Sequence, residues 1–534
     1  MRVRKIVFMS LILVLVAAII ASCSKNNGGD STNEPTNGQT ESASGEPRMD
    51  VTFTTHNIDK VKPDAYALKY MQDKFNVNIH MVTSNGGDYR EKLMLSVASG
   101  DIPDYMGNLP ISDFYKLVDQ GVLAEIPEDL IKEHMPKYYQ YLERSIGPEP
   151  LKAFAVDGKN YALPGPWSIG KNINVVGIRQ DWLKNVGIEK TPETIDEFED
   201  MLYKFTNNDP DQNGKKDTYG MTSRGKLEIW DIFAPIFGAY GVYPGIFTLD
   251  GSGKVVRGEV EPGAKTALEK LAKWYKDGVI DREFLLNDWE EVEKAIIAEK
   301  AGVAQCEWGC FIPGEAFWEG KYDAMKKNNP KVNWVTMPGP KGPNGDYGTF
   351  QTNPIGDAGM FFGKQLADDR AKMIKYMDMF EAYSFDLETY VNVNRGVKGK
   401  TYEMTADGDY AWIPPYDTEE KQTEFGLGGT YAFPGAFNDY DFQKPFMTPK
   451  KYLKVREAAE SVGVGKVDLM GPMLTPVNNE YKDRLKTFTL KSFYDFIGGK
   501  RPVSEFDKFV EEWKAMGGQK VLDEAQQIYD QKLK

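Results

Sequence analysis

The sequence is short of the residues that most chemistry depends on. It has three cysteines and three histidines in 534 residues. So few cysteines exclude a disulfide-built scaffold, and His56, His80 and His134 are too scattered to suggest a histidine site. There is no Walker loop and no internal repeat. Basic charge is also scarce, with 65 Lys and Arg against 79 Asp and Glu and a formal net charge of −14. That balance does not suit nucleic acid or anionic lipid as a partner. Beyond the N-terminus no apolar run approaches the roughly 20 residues of a membrane-spanning helix. Aromatic residues, by contrast, are abundant: 10 Trp, 28 Tyr and 28 Phe. Most must be core, but so many tryptophans also suit stacking on the flat CH faces of sugars.

The single long apolar run, Ile6–Ala21, is broken only by Ser10 and comes after Arg2, Arg4 and Lys5. It ends in Ile20-Ala21-Ser22-Cys23, after which the chain turns polar. A basic start, an apolar core and small closing residues are the layout of a secretory signal peptide. The cysteine directly after them makes the segment resemble a bacterial lipoprotein signal. The resemblance implies cleavage after Ser22 and acyl chains such as palmitate on Cys23. The alternative is an ordinary signal peptide or an uncleaved anchor. Residues 1–22 are thus expected to be the signal. Residues 23–48, rich in Ser, Asn, Gly, Thr, Glu and Pro, are expected to be the lipidated cysteine with a disordered tether.

The fold is expected to start at Met49. Val51–Thr55 reads as a strand, and Ala67, Tyr70, Met71 and Phe75 share one helical face. Val77, Ile79 and Met81 alternate as a second strand; Tyr89, Leu93, Met94 and Val97 mark another helix, and Tyr105-Met106 begins a third strand. This alternation predicts an α/β layer with a mainly parallel sheet. Cys306 and Cys310 are left as either a disulfide or two packed thiols, since two cysteines make only a weak metal site.

Four further stretches stand out in order: Leu117–Ala124, Asp157–Pro164, Trp274–Phe284, and the closing pair Ile497–Pro502 and Phe506–Trp513. Together they resemble the family 1 extracellular solute-binding proteins of ABC importers, within their large oligosaccharide-binding lipoprotein branch. The resemblance implies a two-lobed, hinged, periplasmic-binding-protein-like α/β fold of type II, with the ligand held between the lobes. Breaks rich in Pro and Gly place hinge crossings near Tyr161–Trp167 and Pro338–Thr349, with a third around Asn392–Lys400. Lobe 1 is then 49–163 plus about 345–395, and lobe 2 is 164–344 plus about 396–534.

The sharpest chemical motif is Asp209-Pro210-Asp211-Gln212-Asn213-Gly214-Lys215-Lys216-Asp217. Oxygen side chains at Asp209, Asp211 and Asn213, a turn glycine at Gly214, a carbonyl at Lys215 and Asp217 beyond it match the spacing of an EF-hand calcium loop. Gly220 stands where such a loop carries its bidentate Glu. Solute-binding proteins of alginate type take a ligand from the residue after the last aspartate of such a loop, and resemblance assigns that place to Thr218. A structural calcium ion is therefore expected, against the alternative of an ion-free Asx turn.

A sugar cleft needs aromatic platforms and planar polar groups at strand ends and hinge crossings. This selects Asp104, Tyr105, Trp167, Trp230, Asp231 and Trp308, with Trp412 in the Tyr402–Phe446 insertion and Tyr416, Tyr431 and Phe433 as a rim. Arg179, Arg224 and Arg395 are local cations able to pair with uronates. Together these features point to a lipid-anchored, monomeric receptor on the outer face of the cell membrane. It captures a carbohydrate, an oligosaccharide by preference, and delivers it to the permeases of an ABC importer, with no catalytic residues. The rival is a membrane-anchored glycoside hydrolase or polysaccharide lyase. It would need paired carboxylates, and no recognisable catalytic motif is present.

Overall fold

The computed structural model describes residues 47–533, apart from 57–60, 85–88, 108, 110, 153–154, 167–173, 227, 315–320, 352–358, 429–436, 438, 472 and 474. The expected signal peptide, Cys23, Trp167, Tyr431 and Phe433 lie outside the described residues. Met49–Lys534 form one compact unit.

The alternating strand and helix signals of the first sixty residues become the strand Met49–His56, the helix Tyr66–Phe75, the strand Val77–Ser84 and the helix Tyr89–Ala98. The first helix stops at Asn76, which turns left-handed at φ 53° and returns its N–H to the Gln72 carbonyl. The two strands then pair in parallel, Met49 opposite Val77 and Phe53 opposite Met81. A separate three-stranded sheet has the order Tyr105–Gly107, Gly359–Phe362, Leu163–Pro164. The second lobe's sheet has the order Trp334–Met337, Asn174–Arg179, Ala301–Glu307, Tyr219–Met221.

These sheets are more antiparallel than the sequence pattern predicts. Gly359–Phe362 runs against Tyr105–Gly107, and Asn174–Arg179 runs against Ala301–Glu307. The reason is where the chain enters. A segment returning from the other lobe arrives at the end where outgoing strands finish, so it must run back the other way. Asn174 pairs with Glu307, and Met360 with Gly107. These pairings mark one end of each sheet as the end at which the chain passes between lobes.

Each lobe has its own interior. The first gathers Val51, Phe53, Tyr105, Tyr138, Leu163, Phe362, Tyr376 and Phe380. The second sheet is covered on both faces, as near-continuous apolar strands require. Val176, Ile178 and Val303 face one cluster with Trp182, Phe198, Trp274 and Phe493, whereas Val175, Ala304 and Cys306 face another with Trp308 and Trp334. Gly302 lies on that sheet where a Cβ would strike the rings of Phe205 and Trp182. The third crossing is expected around Asn392–Lys400. Val393, Leu427 and Phe437 all pack in the first core, and Ala459 is the next residue counted in a second-lobe cluster. The aromatic-rich stretch after Asn394 prolongs the first core before the chain crosses.

The helix Ile195–Asn207 sets up the calcium-type loop beyond its C-terminus. Thr194 and Glu197 form a reciprocal capping box, of a kind that stabilises a helix start by about 1 kcal/mol. Ile195, Phe198, Met201, Leu202 and Phe205 recur at helical spacing and are buried. The helix is thus anchored along its length, and the loop begins where it ends.

Candidate functional site

The passing end of the second sheet collects a set of polar and aromatic side chains. Asn174 opens one strand, Glu307 closes the next, and Ser223 and Arg224 come after the strand Tyr219–Met221. Asp231 sits on the short 3₁₀ turn Ile229–Asp231. The Ser223 hydroxyl donates to the Asp231 carbonyl at 2.7 Å and accepts from the Phe233 N–H at 2.8 Å, which locks the turn. Phe233 is held in the left-handed region at φ 42°, a strained place for an aromatic residue.

Arg224 donates to the Asp231 carboxylate at 2.7 Å and lies over the Trp289 ring at 5.0 Å. Burial pushes the Asp231 carboxyl up to about 6, with Arg224 pulling against it and the charges of Glu307 and Glu228 adding to the rise. The result is a carboxylate that is costly to ionise, next to a guanidinium and an indole face. Such a group gains from any ligand hydroxyl that donates to it.

Of the residues singled out in the sequence, Asp231 and Arg224 belong to this set. Trp230 is adjacent and half-buried, stacked on Phe350 at 5.1 Å. The other candidates lie elsewhere in the structure. Tyr105 is 1 % exposed and packs against Phe53, Tyr376 and Phe380, because the strand turns that side chain into the first core. Asp104 precedes the strand Tyr105–Gly107, so it stands at the opposite end from the passage. There it pairs with Lys372 at 2.5 Å and accepts from Gln365 at 2.8 Å. Trp308 is fully buried under the Arg456 guanidinium, 4.7 Å from its ring. A disulfide joins Cys306 to Cys310 around that turn. Trp412 is half-buried against the first core with Arg395 4.9 Å from its ring. Tyr416 meets Phe425 edge-on at 4.8 Å, and Arg179 is spent on Asp181 and Glu299. Glu307, Trp289 and Asn174 were not singled out. Glu307 is one residue from Trp308, and strand alternation sends neighbours to opposite faces.

The calcium-type loop closes on itself through its oxygen side chains. Asp209 accepts from the N–H groups of Asn213 and Gly214, both at 3.0 Å. The Asn213 amide donates to Asp211 at 2.6 Å and to Asp217 at 3.1 Å, while its oxygen accepts from the Lys215 N–H at 2.7 Å. Gly214 takes φ 77° and has open space around it, so the glycine serves the turn and not a close approach. Burial raises the Asp211 carboxyl, and the neighbouring Asp217 and Asp209 charges raise it further. Three carboxylates, an amide oxygen and a carbonyl form an oxygen-only donor set, which fits a hard cation that would relieve that repulsion. The carboxylates are not drawn into a closed shell. Among the described residues the one His, Cys, Asp or Glu group whose ligand atoms all lie within 4.8 Å of one another is Cys306, Glu307 and Cys310, and its sulfurs are bonded to each other. Thr218 departs from the expected ligand set. Its hydroxyl is buried and donates to the Phe205 carbonyl at 2.8 Å, sealing the helix end instead.

Comparison with known proteins places this architecture. A family model described as bacterial extracellular solute-binding protein matches residues 65–378. The chain is similar to the lipoprotein LipO of Bacillus subtilis, 26 % identical over 87 % of this chain and 88 % of that one. It is similar to the polygalacturonan/rhamnogalacturonan-binding protein YtcQ of the same organism, at 23 % over 88 % and 89 %. Among solved structures, Streptococcus pneumoniae FusA, an ABC-transporter substrate-binding protein in complex with kestose, gives a TM-score of 0.65 at 20 % identity, covering 90 % of this chain and 99 % of that one. An EF-hand mutant of FusA in complex with fructo-nystose gives 0.64 at 20 % identity, over 90 % and 99 %. The alginate-binding protein AlgQ2 without calcium ion gives 0.63 at 18 % identity, over 90 % and 98 %. These likenesses agree with the two-lobed type II fold.

Proposed function

This chain belongs to the bacterial extracellular solute-binding proteins, and from that premise we propose that it captures a carbohydrate, an oligosaccharide by preference, between its lobes and delivers it to the permeases of an ABC importer. The observation that carries the reading is the cluster at the passing end of the second sheet. Asp231 and Arg224 present an acceptor and a donor side by side, with Trp289 beneath the guanidinium. Sugar hydroxyls take both roles, and an indole face receives their CH surface. The ligands in the names of YtcQ and FusA support a glycan.

Capture is a shift between open and closed states, and ligand contacts made from both lobes favour closure. No bond is made or broken, so the protein is a carrier and not a hydrolase. For the lobes we adopt 49–163 with about 359–437, and 174–350 with about 459–533. Calcium would be held by Asp209, Asp211, Asn213, Lys215 and Asp217. Its contribution is charge neutralisation that pins the loop to the end of the helix Ile195–Asn207.

The body works as a monomer tethered through a lipid on Cys23. Among the described residues no helix is long and apolar enough to cross a membrane. Mass spectrometry of the membrane-associated protein should find the mature chain beginning at an acylated Cys23. Recovery of an unmodified cysteine there would remove the anchor.

Titrating intrinsic tryptophan fluorescence with xylan-, pectin-, alginate- and fructan-derived oligosaccharides should give saturable one-to-one binding by at least one of them. Product analysis of the same mixtures should show no new reducing or unsaturated ends. Turnover would replace the carrier by an enzyme, and silence across the panel would remove the carbohydrate.

A further inference from the structure

A cavity of about 340 Å³ lies wholly within the second lobe, between the turn Ile229–Asp231, the residues around Phe247 and the long helix Pro476–Ile497. It is formed by residues between 228 and 257 and between 468 and 521, with nothing from the first lobe. It is therefore separate from any site that requires two lobes to meet.

Three features of its wall point to one kind of occupant. First, its charges cancel. Its lining holds three acids, Glu228, Asp468 and Asp483, and three bases, Arg257, Lys482 and Lys486, with Glu228 paired to Lys486 at 2.6 Å. A charged ligand would find no net partner. Second, the wall carries a buried donor and a half-buried acceptor. Trp513 is 1 % exposed, and its Nε1–H has no acceptor among the described residues. Asp468 accepts from the Met470 N–H at 2.8 Å and the Phe247 N–H at 3.4 Å, which leaves lone pairs on its carboxylate. A buried N–H without a partner is costly, and a ligand oxygen removes that cost. Third, Trp230 forms an aromatic wall, positioned by its stack on Phe350.

From these we infer that the cavity is a second binding site, for a single neutral sugar ring. The volume is at the small end of the roughly 300–1,000 Å³ range of ligand pockets, too small for an oligomer. A neutral ring supplies hydroxyls that accept from Trp513 and donate to Asp468, and a CH face for Trp230. The cavity would take its sugar whatever the interlobe site holds.

The test uses saturation-transfer NMR and calorimetry on the mature chain with d-glucose, d-galactose, d-mannose and l-rhamnose, each to about 50 mM, since one small ring binds weakly. At least one sugar should bind. Trp513→Phe, which removes the N–H donor together with part of the ring, should weaken it about five-fold in protein shown by circular dichroism to be folded. Asn478→Trp, which plugs the cavity at its rim, should abolish it. Asp231→Ala, which damages the interlobe set, should leave it intact. Absence of binding by all four sugars overturns the site. So does binding that survives Asn478→Trp and disappears in Asp231→Ala, because that pattern assigns the sugar to the interlobe site. Failure of every oligosaccharide to bind, with monosaccharide binding preserved, would reject the carrier's proposed cargo and leave this cavity standing.

Discussion

Removing calcium from the mature protein with excess EGTA should lower its thermal midpoint by about 4 °C, and added calcium should restore it. The size comes from mass action. An ion at about a thousand times its Kd stabilises the native state by about 4 kcal/mol, and the single unit Met49–Lys534, at about 2.1 cal/mol/K of unfolding entropy per residue, shifts by about 1 °C for each kcal/mol. The loop makes the sign specific. Asp211 is partly buried beside Asp209 and Asp217, and their charges disfavour its ionisation. Asp211→Asn therefore raises the midpoint in EGTA, because it relieves the repulsion. It also shrinks the gain from calcium, because it removes a ligand. An effect of this substitution that changes with calcium separates a cation site from a plain polar turn, which would shift by the same amount in both conditions. An unchanged melt in EGTA, in protein first shown by elemental analysis to hold calcium, would sink the stabilising role.

Asp231 gives the second large effect, and it acts in opposite directions on stability and on binding. Its carboxyl ionises near 6 in the folded chain against a usual value of 3.8. Between those values the native state holds a proton that the unfolded chain has lost. Stability contributed by this group is thus fully present below 3.8 and is lost as pH rises towards 6. The loss is about 3 kcal/mol, at about 1.4 kcal/mol for each decade. Asp231→Asn removes that slope. At neutral pH it also forfeits the bond from Arg224, so the slope and not the absolute stability is the readout. Binding runs the other way. As a carboxylate Asp231 accepts from ligand hydroxyls, and as an acid it loses part of that capacity. Oligosaccharide affinity in the unmodified protein should fall by about ten-fold from pH 7 to pH 5, a change worth about 1.4 kcal/mol. In Asp231→Asn it should be weak and flat. Isothermal titration across pH, with denaturant melts alongside, measures both. An affinity independent of pH in the unmodified protein would take Asp231 out of the binding set.

Much of the architecture was legible because period and punctuation are local. The strand at Val51–Thr55, the helix carrying Ala67 and Met71 and the turn around Gly214 come from side-chain spacing and backbone freedom. The site was less legible because residue type does not state direction. Tyr105 and Trp308 are aromatic near strand ends, as a sugar platform should be, yet both side chains turn inward. Asp104 has suitable chemistry at the wrong end of its strand. Glu307 and Trp289 were hidden for the converse reason. One is a single strand position from a more conspicuous residue, and the other begins a helix that reads as ordinary. The antiparallel returns escaped because strand direction depends on which lobe the chain has just left, and no local window contains that information.

Those returns also bear on how such a chain is made. The first interior needs Met49–Leu163 together with Met360–Phe437, and the strand at Gly107 pairs with Met360. Its sheet cannot be completed until most of the polypeptide has been synthesised. Pairings this distant in sequence are slow to form. A translocation channel that accepts only unfolded polypeptide benefits from that delay, since the leading segment remains extended while the partner it lacks is still being translated.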